Sequence, residues 1–412
     1  MKTNFFCFTK PALLLVSIIC FSFLLFQPAT SLARPNVFPV AVIADLTGPY
    51  APTVGPFSPG VQDGIEFINK ELGGIDGVKM KAYIRDNTGK ASLGLQQYTE
   101  LVELKPKALF LAVAHAPTGE AVTKKAAKDG IILYCGATVP SLYPAENAYG
   151  FYPLYEEMIG GAVKIAREKW MKKRNPRAAI LTWDTSYGRS MMTQEFFDYC
   201  KKINVDIVAK ELFGIRDIDV TTQMVRIRSK KPDWIMTCIA GGGYMLIMKA
   251  AQDLNMNVKM VTHVGLESMV QVNPELFEGA IYGTAMRSFH ENNHPGINKI
   301  KEYMKKNNRS KKEEVMFYTL GWEYVLIVHK VVSDVVKKVG WSNLTTELLK
   351  KEMSSLTNFM PLEGIVKTTY TPKRRTSSWG LPCEVFNGKI RYLLDPKGVF
   401  IELPDLRPAK YR

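Results

Sequence analysis

Short apolar runs alternate along this chain with stretches whose apolar residues recur every three or four positions. The runs 38–44, 108–113 and 131–134 contain no charged residue, so each predicts a strand buried on both faces. The stretch 60–72 has the periodicity of an amphipathic helix, and Gly73-Gly74 supplies its stop. Strand and helix in alternation predict an α/β fold with a parallel sheet covered on both faces.

The alternation begins a second time in the middle of the chain. Strand-like runs at 178–182, 233–239 and 259–262 are separated by helical stretches, of which 244–253 is an example. Because each unit can bury its own parallel sheet, the repeat predicts two similar lobes. The last fifty or so residues differ, since they read as short strands with turn signals such as Asn387-Gly388.

The first 33 residues have the order of a secretory leader. Lys2 and Lys10 precede or border an uncharged apolar run, which ends in the small-residue sequence Ser31-Leu32-Ala33. This order predicts a signal peptide cleaved after about Ala33 and an exported, soluble mature protein. The apolar core of about 16 residues is short for a membrane span, which needs about 20. An uncleaved N-terminal anchor is the alternative.

The charge does not predict a nucleic-acid partner. The formal net charge is +15, from 54 basic and 39 acidic side chains. The basic pairs are spread over the whole chain and fall mostly at helix ends, where they complement the helix dipole. They are not interleaved with exposed aromatic residues, as they would be in a nucleic-acid groove.

Four cysteines remain after the leader. Cys135 and Cys238 both end apolar strand-like runs, where a buried free thiol is the common state. Export permits disulfides, but Cys135, Cys200, Cys238 and Cys383 allow three full pairings, and their spacing does not choose among them.

Small, polar and aromatic residues follow the predicted strands. Examples are Thr47-Gly48-Pro49, Gly136-Ala137-Thr138 and the run 184–188, Asp-Thr-Ser-Tyr-Gly. In open α/β sheets the ligand lies outside the carboxyl ends of the strands. Two facing sets of such loops therefore predict a cleft between the lobes.

These motifs, in this order along the chain, resemble the type I periplasmic solute-binding proteins. The ordered set also includes Gly60-Val61-Gln62-Asp63-Gly64-Ile65, the Gly-Gly-Ile-Asp-Gly run at 73–77 and Arg85-Asp86-Asn87. The resemblance covers essentially the whole mature chain and is to the branched-chain amino acid (Leu/Ile/Val)-binding family of ABC importers in particular.

The resemblance implies two doubly wound parallel-sheet lobes joined by a three-strand hinge. Lobe 1 would comprise residues 34–152 and 286–362, and lobe 2 residues 153–285 and 363–412. The hinge would fall near Tyr152-Pro153, near Ala285-Met286 and at 361–364. It also implies a periplasmic receptor without a cofactor, whose partners are a small-molecule ligand and the permease and ATPase subunits of an importer.

The resemblance also implies a ligand site between the lobes. In such relatives lobe 1 binds the carboxylate at the third and fourth strand ends, where His115 here replaces a small hydroxyl residue. Lobe 2 supplies a tyrosine, matched by Tyr187, and an acid for the ammonium group, which aligns near Val264 and is absent. Glu267 or Glu156 could stand in for it. The predicted ligand-binding residues are Tyr50, Val54, Ala114, His115, Gly136, Thr138, Glu156, Tyr187, Ala240, His263 and Glu267.

The missing acid leaves the ligand class open. A buried ammonium group without a counter-charge costs several kcal/mol. An amino acid of the branched-chain type, a related small carboxylate, an aromatic acid, an amide or a short peptide all remain candidates.

A second functional class is suggested by His290-Glu291-Asn292-Asn293-His294, which has the H-E-x-x-H spelling of zinc proteases. That chemistry needs both histidines on one continuous helix, and Pro295 directly after His294 opposes this. A solvent loop is the better interpretation, and a metal-dependent hydrolase acting in the cleft is the alternative. No nucleophile elbow or phosphate-binding loop occurs, so we predict no enzyme, no catalytic residue and no metal site.

Overall fold

The computed structural model describes residues 34–394 and 398–412. The predicted signal peptide, with Cys7, Cys20 and its cleavage site, lies outside the described residues. Within the described part, no helix combines the length and the apolar character that a membrane crossing requires.

The first sheet is entirely parallel and has the strand order β2-β1-β3-β4-β5. Strands β1, β3, β4 and β5 are buried almost throughout, because their continuous apolar sequence suits a sheet covered on both faces. The strands are β1 (Val37–Ala44), β2 (Lys79–Asp86), β3 (Phe110–Ala114), β4 (Ile132–Cys135) and β5 (Ala148–Gly150), and the helices between them are α1 (Ala51–Val54), α2 (Phe57–Glu71), α3 (Ala91–Val102), α4 (Ala116–Lys128) and α5 (Val139–Leu142).

The second sheet begins with five parallel strands in the order β7-β6-β8-β9-β10. Its strands are β6 (Arg177–Trp183), β7 (Asp206–Phe213), β8 (Trp234–Met236), β9 (Lys259–Thr262) and β10 (Ile281–Thr284). Its helices are α6 (Tyr155–Glu168), α7 (Ser186–Arg189), α8 (Gln194–Lys202), α9 (Thr221–Ser229), α10 (Gly242–Asp253) and α11 (Glu267–Val270).

The chain then returns to the first sheet with three helices, α12 (Pro295–Lys306), α13 (Met316–Val339) and α14 (Thr346–Met353). Helix α13 packs closely on α2, because glycines on both helices remove the side chains between them. A Cβ on Gly60 would lie 2.2 Å from the carbonyl oxygen of Tyr318, and one on Gly321 would lie 2.4 Å from that of Phe57.

The last strands add an antiparallel edge to the parallel strands of the second sheet, which is therefore mixed. Strands β11 (Trp379–Phe386), β12 (Lys389–Tyr392) and β13 (Ile401–Glu402) all pair antiparallel, β11 with β10 and the other two with β11. Asn387 and Gly388 both have positive φ, 51° and 68°, which makes the tight turn between β11 and β12. A hairpin this short can join only antiparallel strands.

The chain passes between the two sheets three times, at 151–154, 285–294 and 354–378. The Gly150 N–H donates to the Arg375 carbonyl (2.8 Å), and the Arg287 N–H donates to the Ile365 carbonyl (2.9 Å). The three crossings therefore lie side by side. We use the predicted boundaries at 152, 285 and 362 as working limits of the two lobes.

Cys135, Cys200, Cys238 and Cys383 are all buried, and none forms a disulfide with another cysteine of the described residues. Burial raises the pKa of the thiols, which makes them poor nucleophiles.

Candidate functional site

A cavity lies between the two sheets, at the carboxyl ends of their strands. Its volume open to water-sized spheres is about 30 Å³, which is room for about two water molecules. A ligand larger than this requires the lobes to separate. The lining residues are Tyr50, Thr53, Val54, Ala114, His115, Ala116, Gly136, Phe151, Tyr152, Tyr155, Tyr187, Ala240 and Phe317.

Seven of the eleven predicted ligand-binding residues line this cavity. They are Tyr50, Val54, Ala114, His115, Gly136, Tyr187 and Ala240. Thr138, Glu156, His263 and Glu267 do not, and each is held elsewhere by its own contacts.

Aromatic rings from the two lobes interlock across the cavity. The Tyr50 ring of lobe 1 stands edge-on to Trp183 of lobe 2, with centroids 5.5 Å apart, and lies 6.2 Å from Tyr187. A tight turn after β1 aims Tyr50 this way, since the Asp45 carboxylate accepts the N–H groups of Gly48 (2.5 Å) and Tyr50 (2.9 Å). The cavity walls are therefore mainly apolar, with the quadrupolar edges and faces that suit a flat or branched hydrocarbon.

His115 presents an uncharged hydrogen-bond donor to the cavity. The Gly89 N–H donates to Oδ1 of Asn87 (3.1 Å), so the Asn87 amide nitrogen, 3.0 Å from His115 Nδ1, can only donate. Nδ1 therefore accepts, and the proton of the neutral ring sits on Nε2. Burial lowers the pKa of His115 to about 4, so this ring stays neutral at ordinary pH.

A pair of phenols forms the floor of the cavity. The hydroxyls of Tyr152 and Tyr155 are 2.7 Å apart and share one hydrogen bond, which leaves one O–H proton free to donate. Tyr155 reaches across to the end of β4, where a Cβ on Gly136 would lie 2.8 Å from its hydroxyl. The sequence interpretation missed both tyrosines, although Tyr152 stands at the predicted hinge. Their position could have identified them, because a hinge segment passes between the lobes beside the ligand cavity and both tyrosines lie in or next to the predicted hinge.

Thr53, Ala116, Phe151 and Phe317 also line the cavity without having been predicted. Thr53 and Ala116 are sequence neighbours of the predicted site residues Val54 and His115, and Phe151 precedes Tyr152 of the predicted hinge. Phe317 is different, because it comes from the start of α13, far along the chain, and no local pattern places it here.

Thr138 is committed to local structure. It is the N-cap of α5, accepting the Ser141 N–H (3.2 Å), and its hydroxyl donates to Glu120 (2.9 Å).

Glu156 lies in the first turn of α6, is 1% exposed and has one carboxylate oxygen without a partner among the described residues. Burial raises the pKa of Glu156 well above its usual value.

His263 lies behind the cavity wall. Its Nδ1 donates to the Val264 carbonyl (2.9 Å), so its Nε2 is the acceptor that faces the Cys238 thiol (3.0 Å) and the Tyr187 hydroxyl (3.2 Å). The Tyr187 hydroxyl donates to the Ile239 carbonyl (2.8 Å), so Tyr187 lines the cavity with its ring and its hydroxyl proton is already used. Burial lowers the pKa of His263 to about 3.

Glu267 does not reach the cavity. Its carboxylate accepts the backbone N–H of Met316 (3.2 Å), which belongs to the first helical residue of α13. Val264, at the position expected for an acid, is 2% exposed and has no charge to offer. No acidic side chain lines the cavity among the described residues.

The H-E-x-x-H segment does not form one helix. His294 precedes the first residue of α12 and caps that helix by accepting the Ile297 N–H (3.3 Å) on Nδ1. Its Nε2 donates to the Glu363 carbonyl (3.1 Å), so both ring nitrogens are engaged. Within residues 34–394 and 398–412 no group of three or more His, Cys, Asp or Glu side chains is placed to hold a metal ion.

Two α/β lobes, three adjacent crossings and a cavity between facing strand ends define a bilobed ligand-binding protein of the type I class. The sequence model of one family, described as periplasmic binding protein, matches residues 38–378. The chain belongs to the periplasmic binding protein family. A search of curated proteins found no match.

Solved structures show the same fold. An ABC transporter substrate-binding protein from Aeropyrum pernix superposes with a TM-score of 0.77 at 16% identity, covering 91% of this chain and 98% of the other. A branched-chain amino acid ABC transporter protein from Thermus thermophilus with bound valine also has a TM-score of 0.77 at 16% identity, with coverage of 91% and 97%. A solute-binding protein from Rhodopseudomonas palustris in complex with 4-hydroxybenzoate has a TM-score of 0.73 at 16% identity, with coverage of 89% and 96%.

Proposed function

We propose that this protein is the extracytoplasmic receptor of an ABC importer and that it captures a small carboxylate with an apolar or aromatic body and no ammonium group. The observation that carries the ligand class is the cavity lining, which offers hydrogen-bond donors but no acid. The partners would be the permease and ATPase subunits of the importer, and export would use the leader at residues 1–33.

Three kinds of donor belong to residues that line the cavity, and they support binding of a carboxylate. His115 offers Nε2–H, and the Tyr152–Tyr155 pair offers one hydroxyl proton. Helix α4, with 13 residues, begins at Ala116 on the cavity wall, and the N–H groups of Ala116 and Thr118 have no intrahelical acceptor, while Pro117 between them has no N–H. The positive end of its dipole favours an anion there.

The same lining disfavours an α-amino acid. An ammonium group in this cavity would lose its water and meet neutral aromatic rings, and burying a charge without a partner costs several kcal/mol. Similar structures carry valine in one case and 4-hydroxybenzoate in another, so the fold itself accommodates both classes. The side chains of this chain support the second class.

Matched ligand pairs test the proposal. Each pair differs only by the ammonium group, for example leucine with 4-methylpentanoate and phenylalanine with 3-phenylpropanoate, with 4-hydroxybenzoate as a further probe. A ligand that binds only the folded protein raises the melting temperature. We expect the deaminated member of a pair to raise it more than the amino acid. A larger shift with the amino acid, or no shift with any carboxylate, would refute the ligand class.

A further inference from the structure

One acidic side chain of lobe 2 caps a helix of lobe 1. Glu267, the first residue of α11, accepts the N–H of Met316 on its Oε2 (3.2 Å). One turn later, the Gln271 side chain donates to the Glu314 carbonyl (2.9 Å). Helix α11 is thus docked on residues 314–316, the N-terminal edge of α13.

The cap is supplied across the lobes because α13 has none of its own. This helix has 24 residues, and Val315 at its N-cap position has no side chain that can accept a hydrogen bond. A carboxylate at this end of a long helix meets the positive pole of its dipole. The next residue, Phe317, lines the ligand cavity, so the contact lies beside the binding site and breaks if the lobes separate there.

The Glu267 carboxylate is poorly compensated for a charged group. The side chain is 3% exposed, and its Oε1 has no hydrogen-bond partner among the described residues. No ion pair of the described residues includes it. Its neighbours Tyr244 on α10, Tyr282 on β10 and Cys383 on β11 are uncharged at neutral pH, and burial raises the pKa of each further.

Charged groups near Glu267 lie on the solvent side. Its surface groove is also lined by Lys301, Lys311, His290 and Glu314, and by Lys389 of β12, which packs against α11. The short helix Glu275–Phe277 also packs on α11, and its one charged residue, Glu275, is exposed. None of these basic groups bonds to the Glu267 carboxylate.

We propose that Glu267 couples closing of the cleft to the uptake of one proton, so that the closed, ligand-holding form becomes more stable as the pH falls. The ionised carboxylate must give up its water on closing and receives the Met316 N–H in return, with the Tyr282 hydroxyl of its own lobe nearby, whereas the protonated form gives up far less. This role rests on the proposed capture of a ligand between the lobes, and it makes Glu267 a positioning residue.

The direction of the pH dependence follows from the pKa of Glu267 in the closed form and in the open form. Burial raises the pKa of Glu267 to about 7 in the closed form. A glutamate returned to water has a pKa of about 4.3. Because the closed form binds more protons between these values, the closing constant rises as the pH falls through 7 and levels off near 4, by at most about tenfold per pH unit.

Hydrogen exchange measures how the equilibrium between the closed and open forms depends on pH, without a ligand and even when the closed form dominates. Two amides report the opening, Met316 at the Glu267 contact and Gly241, whose N–H donates to Thr53 of the other lobe (3.0 Å). After division by the intrinsic exchange rate, we expect the protection of both amides in the wild type to change little from pH 8 to 7 and to rise several-fold per pH unit from pH 7 to 5. In Glu267→Gln, whose amide oxygen still accepts the Met316 N–H, both should be independent of pH.

Glu314→Gln is the matched control, because it removes a carboxylate from the same groove and should keep the wild-type profile. If Glu267→Gln fails to fold, Met316→Pro serves instead, because proline fits the first helical position and removes the backbone donor to the carboxylate. The Gly241 profile should then move to higher pH. A wild-type profile that is flat, that runs the other way, or that persists in Glu267→Gln overturns the proposal. A failed ligand screen would leave this result unaffected.

Discussion

At the scale of single residues, the polar groups that the site can offer a ligand are those that do not already have a hydrogen-bond partner within the protein. Tyr187 and His263 were predicted from strand-end positions, yet the Tyr187 hydroxyl donates to Ile239 and His263 is turned toward Val264 and Cys238. Strand ends can be located from sequence because apolar runs stop there. The direction of each hydroxyl or imidazole depends on partners far along the chain, and so the sequence could not predict it.

His115 is the residue whose loss should most directly weaken binding. His115→Phe keeps a ring beside Tyr50, whose centroid is 5.1 Å away, but removes the Nε2–H donor. A hydrogen bond to a charged group contributes about 1.5–3 kcal/mol, so we expect affinity for the carboxylate probe to fall roughly tenfold to a hundredfold. Titration calorimetry measures this.

The control is His329→Phe, which removes a histidine that bonds to the Gly74 carbonyl (3.2 Å), away from the cavity. It should leave affinity unchanged. An equal loss in the two variants would mean that His115 does not contact the ligand.

At the scale of elements, the parallel strands were predictable and the antiparallel edge was not. Runs such as 108–113 mark β3 because a strand covered on both faces has no polar side. Strands β11 to β13 were recognised as short strands, but their partner β10 lies some hundred residues earlier and nothing local identifies it. Phe317 was missed for the same reason, since tertiary packing alone brings the start of α13 to the cavity.

Helix α13 also buries an acid that makes stability depend on pH. Glu323 accepts the Thr368 hydroxyl (2.8 Å), and its other oxygen has no partner among the described residues. Burial raises the pKa of Glu323 to about 8. The unfolded chain ionises near pH 4.3. Between these values the folded state holds the extra proton, and wild-type stability falls with rising pH for this reason.

Glu323→Gln should remove the loss of folding stability that the ionisation of Glu323 causes as the pH rises. Relative to the wild type, we expect the variant to gain on the order of 2–5 kcal/mol between pH 5 and pH 9, because the amide cannot ionise. Urea unfolding at the two pH values gives the difference. Glu347→Gln, on an exposed side chain of α14, should show no such gain, and an equal gain there would contradict the assignment to Glu323.

At the scale of the whole molecule, the closed cleft is held by a few contacts between the lobes. Rings meet at Tyr50 and Trp183, the Gly241 N–H donates to the Thr53 hydroxyl (3.0 Å), and Glu267 caps Met316. With a cavity open to only about 30 Å³, entry of any proposed ligand requires these contacts to break. Affinity therefore includes the free energy of closing, since binding is weakened by the fraction of molecules not in the competent form.

Thr53→Val tests this coupling at a residue whose hydroxyl serves the closed form. The variant keeps the shape of the side chain but leaves the Gly241 N–H without its acceptor, which costs about 1–3 kcal/mol while the cleft is closed and nothing once water reaches the amide. We expect roughly fivefold to hundredfold weaker binding of the carboxylate probe, carried by faster dissociation, and a larger radius of gyration in solution scattering without ligand. Thr99→Val is the control, because its exposed hydroxyl donates within α3, to the Leu95 carbonyl (3.3 Å). Weaker binding without faster dissociation or expansion would mean that Thr53 contacts the ligand and does not hold the lobes together.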